Sequence, residues 1–355
     1  MNISTVYFSS FNIKKNSQNK INKLKNIFSL CHPEKIIKKD DIIAIKVHFG
    51  EKGNDSYLNP IYVRTIVDIV KELKAIPFVT DTNTLYNGSR NISPNHIEIA
   101  LKHGFDYTVI NAPITIADGL KGKSEYTIEI NKKHFKNIKI GHDIIESDSM
   151  IVLSHFKGHS LCSFGGALKN LSMGCASKSG KYEQHAKTNP IVLKEKCVGC
   201  KICFNECPTN SITLVNNKAY INKKSCIDCG SCLLCPNKAI IYEKTNINNF
   251  IEKMTEYAYG VIKQKNKKII YINFLEKITP HCDCVSWTEK YIVQDIGILA
   301  SNDPVALDKA CYDLVNKYAN ENIFLKIYPN IDCEYQFSYS EKLGLGYKKY
   351  KLIEI

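Results

Sequence analysis

The chain has 355 residues, 44% of them hydrophobic and 23% charged, which is enough for one large domain with an insertion or for several small ones and excludes wholesale disorder. Its formal charge of +13 is almost all lysine, with Arg64 and Arg90 as the arginines. Arginine does most of the bidentate reading of phosphates and bases, so no nucleic-acid partner is expected, only a mild attraction for acidic redox partners.

No apolar stretch approaches a membrane span, and the start MNISTVYFSSFNIKKNSQNK has no continuous apolar run of the signal-peptide kind. A cytoplasmic protein with no membrane partner is expected. Fifteen cysteines in a reducing compartment then point to metal ligation rather than to a disulfide framework.

In chain order, DDIIAIKV (40–47) has the pattern of a buried strand. NPIYVRTIVDIVKELK (59–74) predicts a helix capped by Asn59, with Pro60 at its first position and an apolar stripe of Ile66, Val67, Val70 and Leu73. AIPFVT (75–80) is the next strand, and SPNHIEIALKHG (93–104) is a helix opened by Ser93 and Pro94 and closed by Gly104. MIVLS (150–154), KIIYINFL (268–275) and YIVQDIGILA (291–300) follow as strands, and SNDPVALDKACYDLVNKY (301–318) as a helix opened by a capping residue and Pro304. The alternation predicts an α/β fold: a mainly parallel open sheet with flanking helices.

Polar clusters sit just beyond the C-terminal ends of five of these strands. They carry His48 and Glu51, Asp81 and Asn83, His155, Lys157 and His159, then EKITPHCDC, then SNDP. In an open α/β sheet that edge holds the ligand crevice, so five segments are expected to converge on one cleft. Taken singly, Asp81 and Asn83 could cap a turn, and Ser301, Asn302 and Asp303 fit helix capping better than catalysis.

The densest stretch is SHFKGHSLCSFGGALKN (154–170). Gly165 and Gly166 precede a predicted helix, ALKNLSM, whose first N–H groups suit an anion, with Lys157 and Lys169 to supply charge. His155 and His159 could shuttle protons or bind metal. HCDC adds Cys282 and Cys284 as a candidate third metal site with His281 or with His155 and His159. Free Cys175, Cys31, Cys311 and Cys333 read as small apolar residues.

Eight cysteines fall in one window. CVGCKICFNECP places Cys197, Cys200, Cys203 and Cys207 before Pro208, the C-x2-C-x2-C-x3-C-P spacing of bacterial ferredoxins. CIDCGSCLLCP places Cys226, Cys229, Cys232 and Cys235 before Pro236, an internal repeat whose last gap is one residue shorter. Zinc sites also use paired C-x2-C, but need neither four cysteines at short spacing nor the Cys-Pro closure repeated twice. By resemblance to two-cluster ferredoxins, Cys197, Cys200 and Cys203 with Cys235 would hold one [4Fe-4S] cluster, and Cys226, Cys229 and Cys232 with Cys207 the other. The expected organisation is a discontinuous α/β domain, 1–190 and 245–355, interrupted by an α+β ferredoxin-like module over 191–244.

KVHFGEKGN, DTNTLYNGSR, HGF, SHFKGH, FGGALKNLSMGCASKSGK, the double cysteine motif, ITPHCDC and DIGILASNDPVALD together resemble the family named domain of unknown function 362, in its form with an inserted ferredoxin module. The resemblance runs over most of residues 40 to 315. It implies an iron-sulfur protein with no settled reaction, and maps the family's motif residues onto His48, Asp81, Asn83, His155, Lys157, His159, Lys169, Asn170, Cys282 and Asp283. The expected function is electron transfer from a soluble redox partner, through two [4Fe-4S] clusters, to a small anionic substrate or cofactor in the cleft. There Lys157, Lys169 and the Gly165–Gly166 backbone would bind the anion, with His155 or His159 as proton donor. The alternative is a non-catalytic carrier or a metal-delivery protein.

Overall fold

The structure is a computed structural model and describes residues 3–14, 17–86 and 88–355. Its main elements are β1 (Ser4–Ser10), α1 (Lys20–Ser29), β2 (Ile42–Lys46), α2 (Pro60–Glu72), β3 (Ile76–Asp81), α3 (Ser93–Lys102), β4 (Ile114–Ile116), β5 (Ser149–His155), α4 (Ala167–Cys175), α5 (Lys178–His185), α6 (Lys244–Gln264), β6 (Ile269–Leu275), β7 (Gly297–Ser301), α7 (Pro304–Ala319), α8 (Cys333–Leu343) and β8 (Tyr350–Glu354). The eight strands make one sheet in the order β8-β1-β7-β6-β5-β2-β3-β4. All neighbours run parallel except where β7 pairs with β6 and β1.

Period-two alternation along the strands divides the apolar side chains between two cores. On one face Ile43, Ile45, Ile151 and Leu153 pack against α1 and α2. On the other, Ala44, Met150 and Val152 pack against α4, α6 and α7. Helix α2 begins where its sequence dictates: the Asn59 side chain accepts the Ile61 N–H at 3.1 Å and Pro60 follows. Its Val63, Ile66, Val67 and Val70 are wholly buried, each burial stabilising by about 1.5–3 kcal/mol.

Strand β7 corrects one expectation. The chain leaves the C-terminal edge after β6, loops through residues 276–296 and returns antiparallel, so the SNDP tip emerges at the opposite edge of the sheet. There Asp303 accepts the N–H groups of Val305 and Ala306 at 2.8 and 3.0 Å, capping α7, and takes a 2.6 Å hydrogen bond from Ser4. Four strand ends, not five, face the crevice. Periodicity marks a strand but carries no direction.

The cysteine-rich segment leaves the body after α5 and returns at α6. Its entry and exit, Ile191–Val192 and Ile240–Ile241, pair antiparallel, and a hairpin joins Ile212–Val215 to Lys218–Ile221. It has its own apolar cluster, in which Ile212, Ile221 and Ile240 surround Cys197, Cys203 and Cys232. A second small core of Leu161, Tyr242, Phe250 and Met254, with Leu233 against it, fixes the second cysteine loop to α6 and to the turn after β5. Among the described residues no helix is long and apolar enough to cross a membrane.

Candidate functional site

A cavity of about 640 Å³ opens at the C-terminal edge of the sheet. His48, Asp81, His159 and Lys169 line it from the α/β body, with Cys282 and Cys284 from the loop after β6. Its remaining wall includes Cys229, Gly230 and Ser231 of the second cysteine loop.

Behind this surface lies a network of buried charges. Lys46 Nζ donates at 2.8 Å to Asp81 Oδ1, at 2.8 Å to Asn170 Oδ1 and at 2.7 Å to the Val47 carbonyl. Arg90 reaches Asp81 at 3.5 Å and Glu51 at 3.3 Å, and donates to the Tyr86 hydroxyl at 2.6 Å. Burial works against the Asp81 charge, yet Lys46, His96 and His48 together hold its carboxyl well below the usual range. These residues fix the floor of the cavity. Their partners are already in place, which leaves little free charge among them.

Several of the expected site residues prove to be part of the wall. His155 Nδ1 faces both Asp283 carboxylate oxygens at 2.9 Å and its Nε2 faces the Glu276 carbonyl at 2.9 Å, so both ring nitrogens are engaged. Lys157 pairs with Asp283 at 3.3 Å and donates to the His155 carbonyl at 2.9 Å. Asn83 is bound to Asp118 at 2.7 Å and to the Gly119 carbonyl at 2.8 Å. Asn170 holds Lys46 and donates at 3.0 Å to the Leu153 carbonyl and the Ser154 hydroxyl. None of these four lines the cavity.

The helix N-terminus after Gly165 and Gly166 already holds an anion, and it belongs to the protein. The Asp308 carboxylate accepts the Ala167 N–H at 2.8 Å and the Leu168 N–H at 2.9 Å, with Asn273 adding a third bond at 2.7 Å. Burial pushes the Asp308 carboxyl up to about 6 against these donors. A Cβ on Gly166 would stand 2.3 Å from Asp308 Oδ1, so the glycine serves this close approach.

The groups left facing the cavity form a smaller set. Lys169 Nζ lies 3.7 Å from Cys282 Sγ and, among the described residues, pairs with no carboxylate. Burial opposes its charge, but Cys282, Cys284 and Cys162 hold its pKa above the ordinary lysine value. A hydrogen bond from Cys284 depresses the Cys282 thiol well below its usual range, with Lys169 assisting against burial, while Cys284 is raised. His159 Nδ1 accepts the Leu161 N–H at 3.2 Å, which leaves the ring hydrogen on Nε2. Burial, then Lys169, pushes the His159 pKa far down, as burial and Arg90 do for His48. Both are neutral donors or acceptors at neutral pH.

In the cysteine-rich segment, burial raises Cys203, followed by the neighbouring charges of Cys235, Cys200 and Cys197. Burial likewise raises Cys232, followed by Cys229, Cys226, Cys203 and Cys207. Backbone N–H groups point at three of the sulfurs: Ser211 at Cys207 (3.2 Å), Ala219 at Cys197 (3.3 Å) and Asp228 at Cys226 (3.4 Å). Among the described residues no three or more His, Cys, Asp or Glu side chains gather as the ligands of one metal ion. Cys282 and Cys284 accordingly face an ammonium group, with no third ligand beside them.

Sequence reasoning did not identify Lys46, Arg90, Lys181 or His185. Lys46 carried a signal, a lone charge inside the apolar strand IIAIKV. Lys181 and His185, which also line the cavity, lie on α5, where nothing local distinguishes them; burial lowers Lys181 to about 8 and His185 to about 3.

A search of solved structures gives a similar fold in the lactate racemase apoprotein from Thermoanaerobacterium thermosaccharolyticum, at 10% identity and a TM-score of 0.45, covering 89% of this chain. The chain spans 57% of the length of that protein. No curated protein matches the sequence. The family model described as domain of unknown function (DUF362) matches residues 43–313, from within β2 into α7, and so takes in the cavity and the cysteine-rich segment alike. The chain therefore belongs to the DUF362 family.

Proposed function

We propose that this is an iron-sulfur protein that holds two [4Fe-4S] clusters in its cysteine-rich segment and exchanges electrons with a small anionic molecule in the cavity. The observation that carries the reading is the shared wall: Cys229 of the second cysteine set lines the same cavity as His48, His159 and Lys169. A carrier without chemistry of its own has no need of such a chamber.

The donor set fits the group. A cubane takes one thiolate per iron, so its four sulfurs need not converge on a single ion. Cys203 has Cys235, Cys200 and Cys197 as neighbours, and Cys232 has Cys229, Cys226, Cys203 and Cys207. The presence of Cys235 beside Cys203 and of Cys207 beside Cys232 supports the crossed grouping expected from two-cluster ferredoxins. The N–H groups aimed at Cys197, Cys207 and Cys226 favour thiolate sulfur and tune cluster potential. When bound, the clusters supply one-electron transfer.

The chain's own residues do the rest. Lys169 offers an unpaired cation to an anion, replacing the wider set of Lys157 and the Gly165–Gly166 backbone, which Asp283 and Asp308 occupy. His159, neutral with hydrogen on Nε2, can donate a hydrogen bond to the ligand. The buried pairs of Asp81 and Asp283 tie the surrounding loops together.

The test is anaerobic purification with iron, sulfide and zinc analysis, and mass spectrometry of whatever is retained. About eight irons per chain are expected, as two four-iron clusters require, with a bound small anion that Lys169→Ala loses while the visible absorption is unchanged. Zinc in place of iron would overturn the reading.

A further inference from the structure

We propose that Cys282 and Cys284 form a redox-active dithiol facing the cavity, which interconverts with an intramolecular disulfide. The proposal rests on the iron-sulfur reading for its electron partner alone. The geometry of the pair stands without it.

Both cysteines line the cavity, whereas Asp283 between them does not. Asp283 is wholly buried and tethered to His155 at 2.9 Å, Lys157 at 3.3 Å and Ser56 at 3.2 Å, and its carbonyl accepts the Glu51 N–H at 2.8 Å. One buried carboxylate thus anchors the loop from behind and presents the two flanking sulfurs forward. The two thiols lie on the same cavity wall, and Lys169 Nζ stands 3.7 Å from Cys282 Sγ. Directly before the pair, Gly158 packs so closely that an added Cβ would lie 2.0 Å from the Pro280 carbonyl oxygen.

This arrangement is that of a reactive thiol pair rather than of a buried structural cysteine. A thiolate beside a cation is the nucleophilic form, and a thiol held against it is the natural second partner. A disulfide closing over one residue is strained, and strained disulfides are the labile ones. The other five cysteines outside the two sets differ: burial pushes up the thiols of Cys31, Cys162, Cys175, Cys311 and Cys333, and in Cys162 and Cys175 it outweighs the nearby lysines.

The step balances as follows. In the reducing direction the Cys282–Cys284 S–S bond takes up two electrons and one proton and breaks. Cys282 is left as thiolate against Lys169, and Cys284 as thiol carrying the proton. Two reduced iron-sulfur clusters would supply the electrons, one each, with each cluster oxidised by one electron, and the reverse step would return them. Cys229 of the second cysteine set lines the same cavity.

The full chain, purified anaerobically, is equilibrated in buffers of varied reduced and oxidised dithiothreitol, quenched with acid, alkylated and digested. Mass spectrometry then reads the peptide containing residues 282 and 284, and iron and visible absorption are recorded on the same sample. The two cysteines are expected to lose alkylation together in one two-electron transition while Cys162, Cys175 and Cys311 stay unchanged. In Cys284→Ser the transition disappears, and in Lys169→Gln alkylation of Cys282 at neutral pH slows about tenfold, the loss of roughly one pKa unit of thiolate stabilisation. Full alkylation of both cysteines at the most oxidising poise in the wild-type chain, or a disulfide from either to another cysteine, overturns the proposal. Absent iron with an intact transition defeats the cluster reading and spares the dithiol; intact clusters without the transition do the opposite.

Discussion

Lys46 and Asp81 form a 2.8 Å ion pair with both side chains sealed from solvent. Removing one partner of such a pair strands a buried charge, which costs about 3–5 kcal/mol. Asp81→Ala is therefore expected to lower the unfolding midpoint sharply, and Lys46→Met with Asp81→Leu to recover part of that loss. Denaturant unfolding of the three chains measures it; equal midpoints for wild type and Asp81→Ala would contradict the assignment.

Acid should destabilise the fold through its buried histidines, against the opposing effect of the raised Asp308 and Asp118 carboxyls. Burial lowers the pKa of His48 and His159 strongly, His96 to about 4 and His185 to about 3. An unfolded histidine titrates near ~6.5. Between these values the unfolded chain binds protons that the folded one refuses, so stability is full above the unfolded value and is lost as pH falls below it. Thermal midpoints recorded from about pH 7 down to about pH 5 should decline, and His185→Gln should make the decline shallower.

Cluster ligation predicts non-additive losses of iron. Cys200→Ala and Cys235→Ala should each remove about half the iron, since each empties the same four-thiolate set. The double variant should lose no more than either single one, whereas Cys235→Ala with Cys207→Ala should lose nearly all. Iron and sulfide analysis after anaerobic reconstitution distinguishes the crossed grouping from one in which each motif serves its own cluster.

Gly158→Ala tests the contact that brings the His159 segment against the Cys282 loop. An added methyl 2.0 Å from the Pro280 carbonyl oxygen forces the two segments apart, at about 1–3 kcal/mol for overpacking of this kind. A lower unfolding midpoint is expected together with faster alkylation of Cys282; an unchanged midpoint would mean that the loop moves freely.

The α/β frame was legible because it depends on local patterns: apolar strand runs, the Asn59 and Asp303 caps, and the prolines after them. The direction of β7 was not, since antiparallel return depends on a long-range pairing with β6 and β1. At the site, the tips of β2, β3, β5 and β6 were readable as convergent. Which of their side chains would be spent on one another was not. His155 and Lys157 turn inward because Asp283, 128 residues from His155, meets them there. Gly165 and Gly166 offered a helix start, but Asp308, 141 residues after Ala167, fills it. The buried partners come from distant parts of the chain, and their pairing leaves no short-range trace.

The strands Ile191–Val192 and Ile240–Ile241 pair side by side where the cysteine-rich segment departs from and rejoins the body. Some fifty residues thus hang from a single paired stem, and the cut ends would already be neighbours. A chain in which a short glycine-containing turn bridges that stem should keep its eight-stranded sheet, giving up the packing of Leu233 against Phe250 and Met254, the Asp228 bonds to the Lys187 and Asn189 N–H groups and the cavity wall of Cys229, Gly230 and Ser231. Such a plug-in arrangement separates the folding of the α/β body from that of the cysteine-rich part, which closes one wall of its pocket.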